Sequence, residues 1–346
     1  MLKCLIIIFI FNRCPAVKNL VTGISRNSAY DIYLTYSNTN NTLHLLMPGA
    51  SFLDRLRSFV KEAFVRVVPR DIRSSLIRRQ IRGEKREFIE YLQRIERDEE
   101  MNGILEYLPS ATVLPYPYAW TETAPEYKVY RDGKGGPPYT ILDGKRCYFS
   151  SEMTTLDVFW AAAGLNGMEQ HPESPHLYLT SEFDVADDDI VVDCGAAEGN
   201  FGLSVIDRVK KLYLFEPEEK WLEPLRKTFE PWADKVEIVQ KYISDTESDD
   251  AVTLDGFFMD KEQPTFLKMD LEGYERNALK GAENILRSSV RKAIVCTYHL
   301  VDDHEVLSEI MKANGFRVTT SNGYMYTRFD GKEPYLRRVL IRCVKQ

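Results

Sequence analysis

From Ile190 onward, short apolar runs alternate with segments whose apolar residues recur every three or four positions. "IVVDCG", "LYLFEP", "VEIVQKYIS", "TFLKMDL" and "AIVCTYH" read as strands, and the stretches between them read as helices. Such alternation predicts a parallel sheet joined by right-handed crossovers. The end of the chain breaks the pattern. "FRVTTSNGYMYTRF" and "RRVLIRCVK" follow each other with no helix between, so an antiparallel pair is expected there.

Upstream the pattern differs. Phe52, Leu53, Leu56, Phe59, Val60, Ala63, Phe64, Val67 and Val68 trace one face of a helix that Pro69 ends, and Arg55, Arg57, Lys61 and Arg66 cover the rest. Further basic helices are expected over residues 71–81 and 84–108. Residues 109–150 turn β-rich, with "YKVYRD", "YTIL" and "KRCYF" as short strands and Asp143-Gly144 as a hairpin turn. A helix over Met153 to Ala163 and a polar linker, "EQHPESPH", lead to the alternating region. The pattern divides the chain into an N-terminal segment (1–46), a basic helical region (47–108), a small β-rich and helical extension (109–188) and an α/β domain (189–346).

The first residues, "MLKCLIIIFIF", resemble a weak signal segment, but no small-x-small cleavage site follows. A start at Met47 is the alternative. No apolar run approaches the roughly 20 residues of a membrane-spanning helix. Six cysteines show no C-x-x-C pair and no zinc-ligand spacing with His, which fits a reducing compartment. The expected location is cytoplasmic, with peripheral membrane contact as an alternative use of the basic helices.

The net charge of −7 is unevenly spread: residues 1–97 hold 17 Lys and Arg against 8 Asp and Glu. The rest is therefore strongly acidic, which argues against a nucleic-acid substrate, because phosphates would be repelled. A small molecule or glycan is the expected substrate, and oligomeric state is not legible.

In "VVDCGAAEGNFG" a strand runs into Asp193, Gly195 and Gly199 before a helix. Glycines there let a backbone approach a ligand closely, beside the free N–H groups of a helix start. The spacing departs from the G-x-G-x-x-G of dinucleotide sites. Glu216 closes the next strand 21 residues after Gly195, where a carboxylate can accept from two ribose hydroxyls. Together they indicate a nucleoside ligand.

With "LFEPEEKW", "VTLDGFF" and above all "FLKMDLEGYERNALKGA", the segment from Asp189 to Lys345 resembles the FkbM family of S-adenosylmethionine-dependent methyltransferases. The resemblance implies a class I, Rossmann-like sheet, mostly parallel with a C-terminal antiparallel hairpin, preceded by the helical and β-rich extension. It also implies S-adenosylmethionine as cofactor and transfer of methyl to a hydroxyl of a sugar, glycan or related metabolite. By position, Asp193, Gly195 and Gly199 would line the methionine end of the cofactor, Glu216 would hold its ribose, and Tyr242 to Asp245 would cover adenine. Ala196, Glu198, Asn200, Phe201, Pro217 and Asp270 are the further cofactor-binding residues that the resemblance implies.

The alternation of an extended strand puts Lys268, Asp270 and Glu272 on one side, and ligands bind beyond the carboxyl ends of strands in open α/β sheets. His299, Asp270 and Glu272 are therefore the candidate catalytic residues, with His299 first as base. Glu275 is expected in the first turn of the next helix. Asp302, Asp303 and His304 could join these carboxylates around Mg²⁺, but no metal is favoured. Tyr116, Tyr118 and Trp120 offer either sugar stacking or loop packing, and "SNGYMY" the start of a strand near the cofactor edge. The rival readings are a non-catalytic nucleoside- or glycan-binding module, an NAD-dependent oxidoreductase, whose longer glycine fingerprint is missing, and a glycosyltransferase, which would want a D-x-D motif.

Overall fold

The computed structural model describes residues 34–37, 42–45 and 83–346, apart from 112–114, 124–126 and 134–135. The chain divides into two units, Met1–Gly83 and Glu84–Gln346. In the first, strands β1 (Leu34–Ser37) and β2 (Thr42–Leu45) pair antiparallel, inside a stretch whose sequence shows no clear periodicity. The apolar face at 52–68, the basic helix at 71–81 and the N-terminal apolar run lie outside the described residues.

The second unit opens with α1 (residues 83–94) and α2 (Glu99–Tyr107). One continuous helix was expected over 84–108. It is broken because Asp98, in extended conformation, turns its carboxylate onto the Met101 amide and starts a new helix. A small antiparallel sheet follows: β3 (Tyr130–Arg131), β4 (Pro138–Leu142) and β5 (Lys145–Tyr148). Asp143 and Gly144 make the β4–β5 turn with positive φ at both positions, as the hairpin signal required. Helix α3 (Thr155–Ala162) begins with a Thr154–Asp157 capping box and runs into a π-helical turn, Ala163–Glu169.

The main sheet is built from β6 (Ile190–Cys194), β7 (Lys211–Phe215), β8 (Val236–Val239), β11 (Phe266–Met269), β12 (Lys292–Cys296), β13 (Phe316–Thr320) and β16 (Leu340–Lys345). Between β8 and β11 the short strands β9 (Tyr242–Ile243) and β10 (Ala251–Val252) pair separately, so "VEIVQKYIS" is two strands and not one. The strand order is β13-β16-β12-β11-β6-β7-β8. Its pairs are parallel except those of β16, which runs antiparallel to both β12 and β13. This is the class I methyltransferase arrangement. The last two strands are antiparallel neighbours without a tight turn, because residues 321–339 leave the sheet and form β14 (Met325–Tyr326) and β15 (Leu336–Arg337).

Helices α4 (Asn200–Val205), α5 (Glu219–Thr228), α6 (Leu254–Phe257), α7 (Glu275–Lys280), α8 (Glu283–Ser288) and α9 (Asp303–Ala313) connect the strands. Strand alternation splits the core in two. Val192, Tyr213, Leu267, Met269, Val295 and Ile341 face α7 to α9, while Val191, Leu212, Phe266, Ile294 and Leu340 face α4, α5 and the β4–β5 hairpin. A third cluster joins Phe88, Tyr91 and Leu92 of α1 to Ile104, Tyr324, Tyr326 and Leu336, so the aromatics of "SNGYMY" are core side chains. Chain order reverses between β6 and β11, and at such a switch point open α/β sheets bind ligands in the crevice outside the strands' carboxyl ends.

Candidate functional site

The end of β6 and the end of β11 touch. Gly195 has φ +81°, and a Cβ there would lie 2.1 Å from the carbonyl oxygen of Asp270. Only glycine fits, for reasons of both backbone conformation and space. The Asp270 amide donates to the Cys194 carbonyl at 3.1 Å, which holds the two turns side by side.

Beneath them, Asp193 of β6 and Lys268 of β11 face each other across the sheet and are buried, with Nζ 3.0 Å from Oδ1. Lys268 also donates to the Gly195 carbonyl at 2.9 Å. Burial works against the ammonium charge, but the carboxylates of Asp193 and Asp270 outweigh it and hold Lys268 protonated. Asp193 thus acts on the crevice through Lys268.

Gly199, with φ +79°, starts α4. A Cβ there would meet Leu225 of α5 and Phe229, the residue that ends it, at 2.8 Å, so this glycine lets two helices close on each other. Phe201 is buried between Tyr178 and Phe266, and Ala196 is buried beside it. Asn200 keeps its side chain at the first turn of α4, where Oδ1 accepts from the Phe201 amide.

Glu216, at the end of β7, accepts from the amides of Ala197 and Glu218, each at 2.8 Å. It thereby ties the glycine turn to the start of α5, with Pro217 half-buried next to it. Burial pushes its carboxyl, and that of Glu198, above the ordinary range, Glu198 to about 7. Tyr242 is exposed, and Asp245 is paired with Lys280 at 2.7 Å. Gly281 of the L-K-G-A stretch packs on this segment: a Cβ there would lie 2.0 Å from the Ser244 carbonyl oxygen.

Asp270 is the hub of the centre. Its Oδ2 accepts from the Tyr178 hydroxyl at 2.8 Å and its Oδ1 from the Tyr298 hydroxyl at 3.2 Å. His299 Nε2 lies 3.5 Å from Oδ1, and His176 Nε2 lies 3.9 Å from Oδ2. Burial opposes ionisation of Asp270, but Lys268, His299 and His176, with the Tyr178 hydroxyl, hold it well below the usual carboxylate range.

His299 is fully buried, with Nδ1 2.9 Å from Oε1 of Glu275, itself fully buried. Glu275 opens α7 as expected, and the same oxygen accepts from the Leu271 amide at 2.7 Å. Burial works against imidazolium, yet Glu275, Asp270 and Glu272 raise the His299 pKa above its ordinary value. The backbone carbonyls of Tyr298 and His299 accept from Arg337, which Asp330 anchors in turn.

Glu272 reaches this cluster by a different route from the one expected. β11 stops at Met269, and Glu272 sits at φ +53° in a turn, so strand alternation no longer governs it. The turn nevertheless brings Oε2 to 3.6 Å from His299 Nε2, with the rest of the side chain exposed.

The polar linker supplies residues that the sequence did not single out. Gln170 donates to the His176 carbonyl and accepts from the Tyr178 amide, which folds the linker over the strand ends and presents His176 and Tyr178 to Asp270. Glu169, from the π-helical turn, lies 3.8 Å from His176 Nδ1. Burial lowers the His176 pKa to about 4 and drives Glu169 well above the carboxylate range. The short alternation of His176, Leu177, Tyr178 and Leu179 at the linker's end is their only local signal.

The three groups expected as further ligands, Asp302, Asp303 and His304, are engaged elsewhere. Asp302 and Asp303 pair with Arg276 at 2.6 and 2.8 Å, and His304 Nε2 lies 2.9 Å from the Thr320 hydroxyl. They do not join Asp270. Tyr118 accepts from the Tyr324 amide and donates to Glu100, and Trp120 stacks on His171 at 4.7 Å. Tyr118 thus ties the extension to α2 and to the segment after β13, and Trp120 packs on the linker.

Residues 230–318 match the family model described as the Methyltransferase FkbM domain. Over these residues, about a quarter of the chain, the sequence is similar to that domain. Among solved structures, methyltransferase FkbM from Methylobacillus flagellatus KT aligns at 20% identity and a TM-score of 0.40, over 49% of this chain and 47% of that one. The alignment thus spans about half the length of that relative. A precorrin-6y C5,15-methyltransferase from Geobacter metallireducens aligns at 14% identity and a TM-score of 0.34, over 46% of this chain and 82% of that one. An rRNA methylase from Streptococcus thermophilus aligns at 17% identity and a TM-score of 0.32, over 46% of this chain and 89% of that one. No curated protein sequence matches the chain. Among the described residues, no helix is long and apolar enough to cross a membrane.

Proposed function

We propose that this protein transfers a methyl group from S-adenosylmethionine to a hydroxyl oxygen of a sugar, glycan or related metabolite. The observation that carries the reading is the contact of Gly195 with Asp270 at the switch point, which sets the glycine turn and the Asp270–His299 centre on one crevice.

The residues present fit the cofactor. At Gly195 the turn packs directly on the end of β11, with no room for a side chain, which keeps the glycine turn and Asp270 at one place. Glu216 still has acceptor capacity on both oxygens after its two backbone bonds, and its buried position calls for donors such as ribose hydroxyls. Gly195, Ala196, Glu198, Asn200 and Glu216, with Pro217, would hold it, and Asp193, Gly199 and Phe201 would shape their positions. When bound, it supplies an electrophilic methyl on a sulfonium.

The chain's own part is placement and proton removal. Asp270, kept anionic, attracts the acceptor hydroxyl and the positive charge beside it. His299 takes the hydroxyl proton at Nε2, with Glu275 holding the ring through Nδ1 and stabilising the imidazolium that forms. Glu272, at the exposed side, accepts a further hydroxyl of the acceptor. Tyr178 and Tyr298 fix the Asp270 carboxylate so that its charge needs no reorganisation.

Calorimetric titration with S-adenosylhomocysteine is the direct test. Binding that Glu216→Ala weakens tenfold or more supports the reading, and absence of any heat overturns it.

A further inference from the structure

Three side chains from distant parts of the sequence converge beside Asp270. His176 comes from the linker, Cys296 closes β12, and Asp270 itself follows β11. Cys296 Sγ lies 4.0 Å from His176 Nε2, and the same nitrogen lies 3.9 Å from Asp270 Oδ2. All three ligand atoms fall within 4.8 Å of one another. We propose that this trio binds a single Zn²⁺ ion, which clamps the linker onto the ends of β11 and β12. The inference goes beyond the methyltransferase reading and does not depend on it.

The donor set selects the metal. A thiolate, an imidazole and a carboxylate suit tetrahedral Zn²⁺, whereas Mg²⁺ and Ca²⁺ take oxygen ligands. Bond lengths of about 2.0–2.3 Å at tetrahedral angles set ligand atoms about 3.4–3.6 Å apart. The separations of 4.0 and 3.9 Å are a little wider, and small side-chain rotations close the gap. No spacing in the sequence announces the site, because His176 and Cys296 stand 120 residues apart.

The charges also balance. Zn²⁺ with one carboxylate and one thiolate is a neutral unit, which an enclosed site tolerates where a bare ion would not be. Binding exchanges the thiol proton of Cys296 for a Zn–S bond, and the proton leaves to solvent with no change of oxidation state. Lys268 acts on Asp270 as well, but its ammonium is matched by Asp193 at 3.0 Å and by the Gly195 carbonyl at 2.9 Å.

Two features of the surroundings point to an ion and not to a thiol–imidazole hydrogen bond alone. His176 Nδ1 is buried, makes no hydrogen bond among the described residues, and has Glu169 Oε2 3.8 Å away. A metal-bound imidazole turns its outer N–H to a carboxylate in this way, which fixes the ring. The Tyr116 hydroxyl is likewise buried without a hydrogen-bond partner among the described residues, and the charges acting on it are those of Glu169, Asp270 and Cys296. A hydroxyl left open among these groups calls for a partner, and a water in the fourth metal position supplies one.

The test uses the full chain, stripped of metal by dialysis against a chelator and then titrated with Zn²⁺ or Co²⁺. Zn²⁺ should bind one per chain and raise the melting temperature. Co²⁺ should give the visible bands of a tetrahedral ion and a near-ultraviolet thiolate charge-transfer band. Cys296→Ser should abolish the charge-transfer band, and Cys343→Ser, which alters another buried cysteine, should leave it intact. Glu169→Gln should weaken Zn²⁺ binding about tenfold or more. X-ray absorption of the zinc-loaded wild type needs no variant, and should show one sulfur at about 2.3 Å with nitrogen and oxygen at about 2.0–2.2 Å. The inference is overturned if that shell holds no sulfur or more than one, if Co²⁺ gives no thiolate band, or if the band persists unchanged in Cys296→Ser. Each of those results leaves the Cys296–His176 contact as a hydrogen bond within the fold.

Discussion

The Nδ1 atom of His299 lies 2.9 Å from Oε1 of Glu275, and both side chains are closed off from solvent. A carboxylate at this distance favours a proton on Nδ1, while Nε2 faces Asp270 and Glu272 at 3.5 and 3.6 Å. A base prepared in this way has a particular pH signature.

As base, His299 must be neutral, so the rate rises with pH through its pKa, which its carboxylate neighbours raise above 6.5. Glu275→Gln removes one of those charges, and the acidic limb of the pH–rate profile should move to lower pH. His299→Ala should lower kcat about 100-fold or more while leaving S-adenosylhomocysteine binding within a few fold. An unshifted limb in Glu275→Gln would remove His299 from the role of base.

Gly195→Ala should be among the most damaging single changes. It forces φ +81° on an alanine and drives Cβ to 2.1 Å from the Asp270 carbonyl oxygen. The left-handed conformation alone costs about 1–2 kcal/mol, and the clash adds to it. Urea denaturation is expected to show at least that loss, together with loss of S-adenosylhomocysteine binding.

Lys268→Met strands the buried Asp193 carboxylate and takes from Asp270 the cation that favours its charge. Breaking a buried pair in this way costs about 3–5 kcal/mol. The double change Lys268→Met with Asp193→Leu should recover much of that stability but no activity. Full activity in the double variant would show that the pair serves packing alone.

The pH dependence of stability should carry the mark of His176. Its folded pKa, about 4, lies below the ordinary 6.5, so the unfolded chain binds the extra proton between those values and stability falls as pH drops from 6.5 toward 4. His176→Phe keeps the volume and removes the titration. Its melting temperature should therefore decline less steeply than that of the wild type across this range, and an identical slope would contradict the assignment.

The sequence by itself determined the sheet and the end of it at which the candidate site lies. Strand and helix periods are local, so β6, β7, β11, β12 and the reversed final strands could be read from alternation, as could the Asp143-Gly144 turn and the glycines flanking β6. The strand ends with Asp270 and His299 were legible for the same reason, since the fold places all carboxyl ends of parallel strands along one edge.

Tertiary structure decided what those residues do. Gly199 turned out to make room for Leu225 and Phe229, and Asp193 to hold Lys268, because packing partners lie far away in the chain and leave no local period. The same reason hid Glu169, His176 and Tyr178. They sit in a turn and a linker whose course over the strand ends is set by Gln170 and by the sheet beneath, so only the folded chain brings them to Asp270.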